Sequence, residues 1–113
     1  MNHTPNPYMS CINACRSCAT ACHQCFAECL KEEDVKMMAR CIALDADCAA
    51  ACSLAADVMA RRSEYAEAIC ALCAQICKAC GDECAKHEAD HCKACAQACL
   101  KCAQECDAMA RAA

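Results

Sequence analysis

Cys15, Cys18, Cys22, Cys25 and Cys29 follow one another at steps of three, four, three and four. Cys70, Cys73, Cys77, Cys80 and Cys84 repeat those steps, and Cys92, Cys95, Cys99, Cys102 and Cys106 repeat them again. Each run ends in Glu-Cys, through Glu28, Glu83 and Glu105, and Cys11 extends the first run by one more step of four. Cys41, Cys48 and Cys52 complete a set of nineteen. Thiols in this number can cross-link, exchange electrons, pack as small hydrophobes or bind soft metal ions. The spacing decides among these.

Steps of three and four draw a line down one face of a helix, the seam of a heptad repeat. Residues at such steps hold their Cβ atoms ~5–6 Å apart, whereas a disulfide needs about 3.8 Å, so pairs within one helix fit poorly. Nineteen is also odd, which forbids full pairing within one chain. Six C-x-x-C steps are present, but no segment has the period of a strand, so a thioredoxin-like βαβ context is missing. A redox catalyst moreover needs one exposed thiol of low pKa rather than a seam of them. Iron–sulfur runs of the C-x₂-C-x₂-C-x₃-C-P kind do not occur. As packing alone, Leu would stabilise the seam better than Cys. Metal sequestration is the strongest reading.

The elements that must carry these thiols are helices. Helix formers fill the gaps between the cysteines, with 1 Gly and 2 Pro in the whole chain. Four helices are expected, at about 7–30, 34–61, 64–86 and 91–111. The first has Asn6 as cap and Pro7 as its first residue, and Ser63 and Asp90 cap the third and fourth. Short connections favour antiparallel neighbours, hence an all-α, up-down-up-down four-helix bundle with a cysteine-lined core. Residues 1–113 form one domain, with 1–6 as a flexible tail. Gly81 interrupts the third helix at a cost of ~1 kcal/mol, so it either allows a close helix approach or has no role.

The second seam is thinner. It reads Asp34, Met38, Cys41, Asp45, Cys48, Cys52, Ala55 and Met59. An unpaired buried carboxylate is costly, so the favoured reading rotates Asp45 outward and puts Leu44 in its place; the other reading keeps Asp45 as a buried partner to the metal site. Tyr65, Ile69, Leu72 and Ile76 form an apolar stripe that covers either a bundle flank or another subunit. Lys31 to Asp34 read as a solvated turn.

Composition narrows the setting. Aromatic residues make up 3% and Trp is absent, so the thiols must fill much of the interior. Residues 1–10 lack the basic-then-apolar pattern of a secretory signal, and no stretch approaches ~18–20 apolar residues. The expected location is a reducing cytoplasm, where thiols stay free, with no membrane partner. A net charge of −4 and scattered basic residues argue against nucleic acid.

Charge selects the metal. Binding removes the thiol protons, and a tetrahedral Zn²⁺ with four thiolates keeps two negative charges. Several such sites in a dry tube would repel one another. A soft monovalent ion at about one per Cys leaves the core neutral, and thiolates select Cu(I). A zinc- or cadmium-binding detoxifying sink of metallothionein type, or a thiol redox buffer, are the alternatives. One end of the tube gathers Tyr8, Met59, Ala66 and Met109 as an apolar plug. The other gathers Cys29, Met38, His87, His91 and Cys92. His87, His91 and Met38 are candidate weaker ligands at a mouth that receives ions. Alternatively the histidines are solvated helix ends and Met38 a core plug. His23 is expected on the surface and His3 in the tail.

The segments CIALDADCAAAC, ICALCAQICKACGDECAKH and DHCKACAQACLKCAQEC resemble the bacterial copper storage proteins, in particular their cytosolic branch. The likeness spans about Met9 to Met109 and includes the thin ladder with Asp45. It implies bulk storage of many Cu(I) ions per subunit, no enzymatic activity, assembly into a homotetramer, and a part for histidines near the open end in copper uptake. A copper chaperone or efflux system is a further partner to expect.

Overall fold

The computed structural model describes residues 5–111. Four helices carry the chain: α1 (Met9–Cys29), α2 (Ala39–Ala60), α3 (Ala66–Cys84) and α4 (Asp90–Arg111). A single 3-10 turn, Val35–Met38, precedes α2. α1 packs on α2 and α4, and α3 packs on α2 and α4, so each helix has two neighbours around a common axis. The sulfur contacts show the directions. Cys11 meets Cys106 while Cys29 meets Cys92, so α1 and α4 run antiparallel. Cys18 meets Cys48 and Cys25 meets Cys41, and likewise Cys41 meets Cys84 and Cys52 meets Cys77. The fold is the up-down-up-down bundle that the seams imply.

The helix starts differ from the expected ones. α1 begins at Met9 rather than Pro7, because Asn6 spends its side chain on a tight turn: Tyr8 N–H donates to its Oδ1 at 2.8 Å. Asn6 Nδ2 also donates to the Met59 carbonyl at 3.1 Å, which ties the start of the chain to the end of α2. α3 repeats the arrangement with Ser63, whose Oγ accepts from Tyr65 N–H at 3.0 Å. The second helix does not start at Asp34. The chain climbs through the 3-10 turn first, and Asp34 is exposed. Between α2 and α3, Arg62 adopts φ 54°. Its N–H bonds Met59 O and the next N–H bonds Val58 O, closing α2 with a Schellman turn.

The seams face inward along their whole length. Eighteen cysteines have no exposed surface and Cys11 has 1%. Met59 and Ala66 are buried toward one end, and Tyr8 and Met109 are partly buried against the core. Gly81 makes a close approach: a Cβ there would lie 2.9 Å from two Leu100 side-chain atoms and 3.2 Å from Cys99 Cβ. The stripe on α3 divides. Ile69 and Ile76 pack against the core, whereas Tyr65 and Leu72 are exposed.

Candidate metal centre

All nineteen cysteines are free, and their sulfurs form a continuous column. Along a helix, successive turns bring Sγ atoms to 3.7 Å (Cys25–Cys29, Cys73–Cys77) or 4.0 Å (Cys18–Cys22, Cys48–Cys52). Across helices the gaps are similar or shorter: 3.3 Å for Cys41–Cys84 and 3.5 Å for Cys15–Cys106 and Cys48–Cys77. A disulfide bond is about 2.05 Å, so these are packed thiols. A metal–thiolate bond of about 2.3 Å puts sulfurs ~4.0 Å apart around a trigonal ion. The column therefore needs little expansion to take ions between its sulfurs.

The sulfurs gather into quartets whose atoms lie within 4.8 Å of one another. Cys15, Cys52, Cys73 and Cys102 supply one quartet, with one thiol from each helix. Others are Cys18, Cys48, Cys52 and Cys77; Cys18, Cys22, Cys48 and Cys99; and Cys22, Cys80, Cys95 and Cys99. These quartets overlap. Cys18, Cys22, Cys48, Cys52 and Cys99 each belong to two of them. Ions that each claimed four sulfurs could not fill them all. Ions of lower coordination that share bridging thiolates could. Among the described residues the buried charged or polar side chains are Asp45 and Glu83, both acidic, so no protein cation offsets thiolates in the column.

Asp45 corrects the expectation drawn from its charge. It is fully buried, and Leu44 does not replace it. Its place, four after Cys41 and three before Cys48, holds it on the seam. The Cys80 and Cys95 thiols each donate to Oδ1 at 3.3 Å, Cys84 donates to Oδ1 at 3.6 Å and Cys41 to Oδ2 at 3.8 Å. Burial, together with the neighbouring Cys95 sulfur, pushes the carboxyl up to about 10. A carboxyl raised that far keeps its proton at neutral pH, which removes the penalty that argued for expelling it.

At the open end the two histidines part company. His91 Nδ1 lies 3.5 Å from Cys92 Sγ, 3.7 Å from Cys25 Sγ and 3.8 Å from Cys29 Sγ. Its Nε2–H donates to Glu32 Oε1 at 2.9 Å. A carboxylate on Nε2 leaves Nδ1 as the free acceptor facing the thiols. His87 instead donates through Nε2–H to Glu83 Oε2 at 3.0 Å. Glu83 also pairs with Arg40 at 3.2 Å and Lys86 at 3.4 Å. Burial opposes ionisation of Glu83, but the His87 bond and the Lys86 charge outweigh it and hold the carboxyl below its usual range. Burial pushes the Cys92 thiol up to about 11, with the Cys41 sulfur adding to the effect. Met38 is buried in the core cluster.

Glu32 and Glu83 bond the two histidines, pairings that the sequence reading missed. Glu83 and His87 stand at i and i+4, a signal open to reading. Glu32 had none, and its assignment to a solvated turn is corrected: its carboxylate lies 2.9 Å from His91 Nε2. His23 is exposed. His3 lies outside the described residues.

Comparison with known proteins agrees with this geometry. The family model described as "Copper storage protein" matches residues 4–111. The chain belongs to the copper storage protein family. It is similar to the cysteine-rich protein YhjQ of Bacillus subtilis (strain 168), with 50% identity over 82 residues, 73% of this chain and 76% of that protein. Among solved structures it is similar to the Cu(I)-bound copper storage protein BsCsp3: 50% identity and TM-score 0.87, covering 90% of this chain and 96% of that one. It is also similar to a cytosolic copper storage protein from Streptomyces lividans, solved during copper loading with five coppers. There the identity is 39% and the TM-score 0.90, over 94% of this chain and 93% of that one.

Proposed function

We propose that this copper storage protein holds Cu(I) at about one ion per Cys along the whole column, with every cysteine from Cys11 to Cys106 as a ligand. The carrying observation is the overlap of the quartets in a column without buried cations. Cu(I) accepts two or three soft thiolates and brings one charge, so bridged ions at equal number leave the interior neutral. Zinc in any one quartet would keep two negative charges and deny its sulfurs to the next. The protein performs no chemical transformation in this reading. It works in the cytoplasm, assembles as a homotetramer, and exchanges copper with a chaperone or efflux system.

Ions enter at the end that bears His91 and His87. His91 supports this through its position: its ring is partly exposed while its Nδ1 faces three buried thiols. His87, seated on Glu83, and the buried Met38 play lesser parts there. Storage is tested by titrating the reduced chain with Cu(I) in the absence of oxygen, against a competing Cu(I) chelator. Saturation near nineteen ions is expected. Saturation near one ion per four cysteines would contradict the proposal.

A further inference from the structure

Cys25, Cys29, Cys92 and His91 enclose a point at the mouth on four sides. Their Sγ–Sγ separations are 3.7 Å (Cys25–Cys29), 3.9 Å (Cys25–Cys92) and 3.9 Å (Cys29–Cys92). From His91 Nδ1 the sulfurs lie at 3.5, 3.7 and 3.8 Å. Tetrahedral Zn²⁺ binds thiolate at about 2.3 Å and imidazole at about 2.0–2.1 Å. Those bonds at tetrahedral angles place sulfurs about 3.8 Å apart and each sulfur about 3.6 Å from the nitrogen. All six observed edges agree with these values to within about 0.2 Å. We infer that the mouth is a preformed Cys₃His site for one Zn²⁺ ion per chain, and that zinc seated there caps the column until Cu(I) displaces it.

The same three sulfurs also meet Cys41, which lies 3.9 Å from Cys25 and from Cys29 and closes an all-thiolate quartet with them, and His91 offers a neutral fourth donor in place of that fourth thiolate. Imidazole is neutral, so Zn²⁺ with three thiolates keeps one negative charge, where an all-thiolate quartet keeps two. Glu32 holds Nε2–H at 2.9 Å, the carboxylate–histidine–zinc relay that fixes the ring and strengthens Nδ1 as a donor. Cu(I) takes two or three donors, so an ion received by His91 and one or two thiols leaves a thiol over, whereas Zn²⁺ takes all four. The three thiols have no exposed surface, whereas the His91 side chain is 21% exposed, so an arriving ion meets the imidazole first. Binding transfers three thiol protons to solvent and forms three Zn–S bonds and one Zn–N bond. Displacement by Cu(I) is ligand exchange without change of oxidation state. Zinc binding stands by itself on this geometry, and displacement rests on the storage proposal above.

The reduced chain, free of oxygen, is titrated with Zn²⁺ against a chromophoric zinc chelator and separately with Co²⁺. One tight ion per chain is expected, with the cobalt spectrum of a tetrahedral site of three sulfurs and one nitrogen. His91→Ala loses the nitrogen signature and weakens zinc at least tenfold. Glu32→Ala weakens zinc by about tenfold or more while keeping the donor set. Absence of a tight ion, several ions of equal affinity, or a four-sulfur cobalt spectrum in the unaltered chain would overturn the site. Cu(I) is then added to the zinc-loaded chain. Zinc released with the first copper equivalents supports the cap, and zinc retained until the column is full overturns it. Copper capacity of the zinc-free chain, measured in parallel, reports on storage separately.

Discussion

A carboxylate in the middle of a thiol column would ordinarily be expelled, because burying an unpaired charge costs several kcal/mol. Asp45 stays because it is neutral there and accepts from four thiols. Asn has nearly the shape of that neutral acid. Asp45→Asn is therefore expected to change the denaturant stability of the reduced apo chain by less than about 1 kcal/mol, whereas Asp45→Ala, which leaves a cavity and four thiols without their acceptor, costs about 1–3 kcal/mol. An Asn variant as unstable as the Ala variant would mean that the acid carries charge. At the mouth, His91 faces thiols and His87 faces a carboxylate. His91→Ala should slow Cu(I) uptake several-fold in stopped-flow transfer from a chelator, with final capacity nearly unchanged, and His87→Ala should slow it less. Equal rates for both variants and the unaltered chain would remove the histidines from the uptake route.

At the scale of the helices, much was legible because one residue type carries the pattern. Steps of three and four put every cysteine on a buried line, and short connections then force antiparallel neighbours. The thin second ladder was legible in position but not in orientation. Charge alone argued Asp45 outward, and only the packing of Cys41, Cys80, Cys84 and Cys95 around it shows why it stays. Helix starts moved because Asn6 and Ser63 cap through tight turns two residues early, a choice that local sequence leaves open. Glu32 was illegible because its partner lies 59 residues away, on another helix. Gly81 settled as a packing device. Ala there gains ~1 kcal/mol in helix propensity but meets Leu100 and Cys99, an overpacking cost of about 1–3 kcal/mol. Gly81→Ala is expected to destabilise the apo chain by about 1 kcal/mol in denaturant unfolding, and adding Leu100→Ala should recover part of the loss. A stabilised single variant would show that α3 and α4 are not held close by this glycine.

For the whole molecule, the interior exchanges protons for copper. Metal that binds the folded bundle and not the unfolded chain stabilises it by mass action. A single site at one hundred times its dissociation constant contributes about 2.7 kcal/mol, or about 10 °C or more in the unfolding midpoint of a domain this size. Calorimetry should therefore show a midpoint that climbs with each addition of Cu(I) and falls back when a strong chelator removes it. The central claim is that the filled column is neutral because each thiolate gains one monovalent ion. A pH-stat titration of the reduced chain with Cu(I) tests this directly by counting protons and ions together. The account predicts about one proton released per ion until close to nineteen ions are bound. Saturation at four or five ions, with about four protons released for each, would contradict it.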